Sequence, residues 1–159
     1  MAAQPNLHAV RFDLEVEISR PVADVFAYVS DVTNLPTWQE SAVAAEWVEP
    51  RSRFRERRSF LGHTAELELE VTRYEQDRRF DVKAVSGPVR FEVSHAFSSA
   101  DGGTLLRVTA QAGGFAASMA KKPAERQFRG DLQRLREVLE GQRRDEESPS
   151  DRPPRPAEE

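Results

Sequence analysis

Val10, Phe12, Leu14, Val16 and Ile18 alternate with Arg11, Asp13, Glu15 and Glu17. A period of two suits a strand with one dry face and one wet face, so residues 10–18 are expected to be extended. The period then changes: Val22, Val25, Phe26 and Val29 recur at helical spacing up to Asp31, with Ser19 expected to cap the helix and Pro21 to lie near its first turn. The turn-rich piece TNLPTWQE follows and suits a small second helix around residues 35–39.

Beyond it the helical spacing disappears. Five more extended segments are expected at 42–48, 53–60, 64–74, 80–85 and 89–97, and Asp101, Gly102 and Gly103 mark a hairpin turn before a seventh strand at 105–112. Short connections imply antiparallel pairing. In the last helix, expected at 123–139, Phe128, Leu132, Leu135, Val138 and Leu139 form one apolar stripe and Gly141 is expected to end it. Residues 115–120 read as its looser first turns, with Pro123 as a kink.

A chain of 159 residues with 38% hydrophobic content suits one domain. From Gln142 the chain reads QRRDEESPSDRPPRPAEE, with four prolines, ten charges and no large apolar residue. Such a composition cannot offset chain entropy by burial, so 142–159 is expected to be a disordered tail, 1–8 a flexible start and 9–141 the folded unit. The formal net charge of -4 gives no long-range pull toward nucleic-acid phosphates, and a nucleic-acid partner is not expected. There is no cysteine, hence no disulfide or thiolate chemistry. No stretch resembles a signal peptide or a membrane span, so a cytoplasmic protein without integral membrane association is expected. No metal-ligand spacing, phosphate loop or nucleophile elbow appears, and no cofactor is expected.

The basic run RSRFRERR at 51–58 has a structural explanation. If Phe60 faces His63 across a turn, Arg57 stands opposite Glu66, Arg55 opposite Glu68 and Arg53 opposite Glu70, which neutralises the run on one face. The same register turns Phe54, Glu56, Arg58 and Phe60 to the other face, beside Ala65, Leu67, Leu69 and Val71. Glu56 and Arg58 then either pair with each other, where they can orient the polar end of a ligand, or reach water at the sheet edge. His95 alternates with Val89, Phe91, Val93 and Phe97, so its ring points to the apolar face. It is the candidate acid or base, against the alternative of a hydrogen-bonded core histidine, and no residue is committed to catalysis. His63 lies beside a turn and His8 near the chain start.

The order of one strand, two helices, six strands and one long helix combines with ISRPVADVFAYVSDVTNLPTWQE near the start and AERQFRGDLQRLREVLEG near the end. Together they resemble the START-like or SRPBCC superfamily, in its polyketide cyclase/dehydrase-type branch. The resemblance implies an α+β helix-grip fold (START/Bet v 1-like): a seven-stranded antiparallel sheet curled around the long C-terminal helix, with two short helices after the first strand. It also implies a ligand cavity between sheet and helix. Trp38, Glu56, Arg58, Leu67, Phe80, Phe91, Val93, His95, Phe115, Met119 and Phe128 are the candidates to line it. Three functions remain open. The first is binding of a hydrophobic small molecule, whether lipid, polyketide or aromatic compound. The second is a polyketide cyclase, aromatase or dehydratase using His95, Glu56 and Arg58. The third is a chaperone-type protein-interaction module. Because one fold hosts many functions, the site must decide among them.

Overall fold

The structure is a computed structural model that describes residues 10–60, 62–87, 89–113 and 120–147. Seven strands form one antiparallel sheet: β1 (Val10–Ile18), β2 (Ala42–Glu49), β3 (Arg53–Phe60), β4 (His63–Glu75), β5 (Arg79–Ala84), β6 (Phe91–Ala100) and β7 (Gly103–Ala112). Their spatial order is β1-β7-β6-β5-β4-β3-β2. Two short helices, α1 (Val22–Ser30) and α2 (Leu35–Trp38), separate β1 from β2, and the long α3 (Lys121–Glu147) closes the described chain. This is the helix-grip arrangement, with the sheet curled around α3.

Alternation places the strands as their patterning demands. Phe12, Leu14 and Ile18 of β1 are buried, while Arg11, Asp13, Glu15 and Glu17 are exposed. Val93 and Phe97 of β6 and Leu106, Val108 and Ala110 of β7 continue the same dry face. The β6–β7 connection is a tight turn in which Asp101 and Gly102 both take positive φ, 46° and 79°. An Asp-Gly pair suits that conformation because glycine carries no Cβ penalty there. Gly103 has a separate reason to be small: a Cβ on it would meet the Ile18 carbonyl oxygen at 2.5 Å.

The β3–β4 hairpin has the register that charge complementarity requires. Phe60 pairs with His63, Arg57 with Glu66, Arg55 with Glu68 and Arg53 with Glu70. Arg57 reaches Glu66 at 3.4 Å, and Arg55 lies between Glu46 at 3.7 Å and Glu68 at 4.0 Å. Arg55 and Arg57 of the basic run are thus matched by acids on the outer face. These exposed pairs contribute some tenths of a kcal/mol each, so their main effect is on register.

Three expectations about element ends are corrected. Ser19 does not cap α1; Pro21 occupies the cap position without a side-chain cap bond, and Asp24 supplies the acidic group in the first turn. Gly141 does not end α3, which continues to Glu147. Long-range contacts hold the additional turns: Arg143 donates to the Ser19 carbonyl at 3.1 Å, and buried Arg20 reaches the Leu139 carbonyl at 3.0 Å and Glu146 at 3.7 Å. Pro123 lies in the first turn of α3, where its missing N–H costs nothing, and is not an interior kink. The expected flexible start at 1–8, residues 115–119 of the looser helical stretch and residues 148–159 of the tail lie outside the described residues.

Candidate functional site

The inner face of β3 carries Phe54, Glu56 and Arg58, set by strand parity opposite Leu69, Leu67 and Ala65 of β4. Phe80 and Val82 of β5 and Phe91, Val93 and His95 of β6 extend that surface across the sheet. On the other side, α3 presents Ala124, Phe128 and Asp131, and Phe128 meets Phe12 edge-on with ring centroids 5.2 Å apart. Between them lies a cavity of about 480 Å³. That volume falls within the range of small-molecule sites. Trp38, Glu56, Arg58, Leu67, Phe80, Phe91, Val93, His95 and Phe128 all line it. Phe115 and Met119 lie outside the described residues.

Trp38 reaches the cavity because the segment before it is tightly turned. Asp31 accepts from the Thr33 N–H and hydroxyl at 3.1 and 2.7 Å, and Asn34 donates to the Tyr28 carbonyl at 3.2 Å. Pro36 then opens α2, whose end buries the indole. The DVTNLPTW pattern therefore positions one wall of the cavity. The Trp38 Nε1–H is itself buried without a hydrogen-bond partner.

One end of the cavity is polar. Glu56 and Arg58 form a two-pronged ion pair, from Nε to Oε2 and from Nη2 to Oε1, with side chains 3% and 15% exposed. Arg58 also donates to Ser41 Oγ at 2.8 Å and to Gln39 Oε1. Of the two arrangements open to Glu56 and Arg58, the structure shows the mutual pair inside the cavity.

His95 occupies the sheet floor and is 6% exposed. Its Nδ1 lies 2.8 Å from the Phe80 carbonyl oxygen. A carbonyl only accepts, so Nδ1 carries the proton and Nε2 holds the lone pair. Burial pushes the ring's pKa down, against the Phe80 hydrogen bond and the field of Asp81, which raise it. The histidine is therefore hydrogen-bonded in the core and also lines the cavity.

Asp131 escaped the sequence reading. It is buried in the cavity wall and accepts the Glu40 backbone N–H at 3.0 Å. Burial raises its pKa, opposed by that hydrogen bond and by Arg58 and Arg134. A signal was available: Asp131 follows Phe128 by three residues and precedes Leu135 by four, which puts a carboxylate on the apolar stripe. Gln39 and Ser41, in the α2–β2 connection, had no periodic signal. Among the described residues no group of three or more histidines and acids could hold a metal ion, and no helix is long and apolar enough to cross a membrane.

A family profile described as polyketide cyclase/dehydrase and lipid transport matches residues 9–140. No curated protein matches the chain. Among solved structures, a START superfamily protein from Mycobacterium smegmatis superposes with a TM-score of 0.72 at 17% identity, over 82% of this chain and 97% of that one. The di-domain ARO/CYC StfQ of the steffimycin biosynthetic pathway gives 0.72 at 13% identity, over 84% of this chain and 52% of that one. A protein from Deinococcus radiodurans gives 0.67 at 22% identity, over 83% and 98%. At these identities the likeness is one of fold.

Proposed function

The chain belongs to the polyketide cyclase/dehydrase and lipid-transport family, and from that premise we propose that it binds a hydrophobic small molecule between the sheet and α3. The observation that carries this reading is the form of the cavity: about 480 Å³, walled largely by aromatic and aliphatic side chains, with Glu56, Arg58 and Asp131 as the charged groups inside it and Lys121 exposed at its border. Apolar walls supply affinity through burial, at roughly 25 cal/mol per Å² of apolar surface removed from water. A few placed polar groups supply orientation.

A saturable fluorescent apolar dye tests it. Val93 lies on the cavity floor, so Val93→Trp should fill space and abolish dye binding while the protein stays folded. In a solid core the same change would overpack and destabilise by about 1–3 kcal/mol. No dye binding by the parent, or undiminished binding by a folded variant, would reject the cavity as the binding site.

A second reading is an enzyme acting on a polyketide-like chain, and the state of His95 favours it. A neutral imidazole with Nε2 unpaired on the cavity floor has the lone pair that a general base needs, although burial weakens its basicity. His95→Ala separates the readings: a binder keeps much of its affinity, whereas an enzyme loses turnover far more than binding.

A further inference from the structure

Among the described residues, the charged groups held inside the cavity wall are two carboxylates, Glu56 and Asp131, against one cation, Arg58. Arg58 is the cation inside it, and four of its five N–H groups are already used, two on Glu56 and one each on Ser41 and Gln39. Its charge is matched by the Glu56 carboxylate. Asp131 adds a second carboxylate that has one backbone N–H partner. His95 Nδ1 donates to Phe80, which leaves Nε2 as an acceptor with no partner among the described residues. Lys121 also borders the cavity, but it is exposed, so water screens it. The side-chain amides of Gln39, Gln111 and Gln127 and the Ser41 hydroxyl can donate but carry no charge, and the Trp38 N–H is buried in the wall.

We infer that the cavity takes uncharged apolar molecules bearing a hydroxyl or phenol donor and rejects free carboxylic acids, a refinement that rests on the apolar-cavity reading above. A hydroxyl entering the cavity can donate to His95 Nε2 or to the Asp131 carboxylate. A ligand carboxylate would meet acceptors at both and would add a third negative charge beside Glu56 and Asp131, with the Arg58 charge already matched by Glu56 and one of its N–H groups left unused. Burial holds the His95 ring neutral, which preserves the acceptor.

Naphthalene, naphthol and naphthoate share one apolar body and differ in the group that decides the matter. Equilibrium dialysis at neutral pH against the full chain should rank naphthol tightest. Naphthalene should be weaker by about two- to tenfold, the worth of one hydrogen bond. Naphthoate should be weaker than naphthol by about tenfold or more. In Asp131→Asn, which keeps the shape and an acceptor for the Glu40 N–H, the naphthol-to-naphthoate ratio should narrow several-fold. Naphthoate binding as tightly as naphthol, or an unchanged ratio in the folded variant, would overturn the inference and leave the cavity reading standing. Failure of all three probes to bind would overturn both. The comparison on the parent protein is decisive even where the variant does not fold.

Discussion

Replacing Arg58 by methionine measures what it costs to hold an ion pair inside the cavity. The Glu56 side chain is 3% exposed and that of Arg58 15%. The substitution removes the two bonds to Glu56 and those to Ser41 and Gln39, and leaves a buried carboxylate opposite Leu67. Breaking a buried pair from one side costs about 3–5 kcal/mol. Methionine replaces most of the arginine stem in volume, which keeps the expected loss near the lower end, about 3 kcal/mol. For a domain of this size, about 2–4 °C of Tm goes with each kcal/mol, so Tm should fall by about 6–12 °C. Glu56→Leu combined with Arg58→Met leaves no orphaned charge and should recover to within about 1 kcal/mol of the parent. Urea and thermal melts of the parent, the single variant and the double variant supply the numbers. A loss below about 1 kcal/mol for Arg58→Met, the worth of an exposed pair, would refute burial of the dyad. A double variant no more stable than the single one would refute the orphaned carboxylate as the cause.

Three further outcomes are expected. Arg55→Glu should destabilise and Glu68→Arg should restore part of the loss, with a coupling within about 1 kcal/mol in a double-mutant cycle; additive effects would count against the pair. A chain ending at Gly141 should lose about 1 kcal/mol relative to one ending at Glu147, because it lacks the Arg143–Ser19 and Glu146–Arg20 contacts; equal melting temperatures would show those contacts to be idle. Because burial lowers the His95 pKa, the unfolded chain takes up this proton more readily than the fold. The stability tied to the neutral ring is therefore fully present above the unfolded value of about 6.5 and is lost as pH falls below it toward the folded value, by at most about 1.4 kcal/mol per pH unit. Urea melts across that window should show a flatter acid slope in His95→Gln than in the parent; parallel slopes would refute the assignment.

Local periodicity was enough for the strands and for much of the cavity floor. Alternation in VRFDLEVEI assigns an inner and an outer face without reference to any other segment, since successive side chains on a strand point oppositely. The β3–β4 register was equally legible, because three arginines and three glutamates at matching intervals leave one alignment that pairs them all. The same parity carried Glu56, Arg58 and His95 inward. Other features depend on which distant surfaces meet. α3 passes Gly141 because Arg20 and Arg143 tie its last turns to the β1–α1 corner, more than a hundred residues away in sequence. Glu56 and Arg58 could have reached water from a strand end; the Gln39 and Ser41 side chains, delivered by the α2–β2 connection, complete Arg58's partners and keep the pair inside. Asp131 becomes a cavity carboxylate only when α3 lies across the sheet and the Glu40 N–H meets it. Periodicity is a property of neighbouring residues and survives in the sequence, whereas the environment of a buried polar group belongs to the elements packed around it and exists only once they have come together.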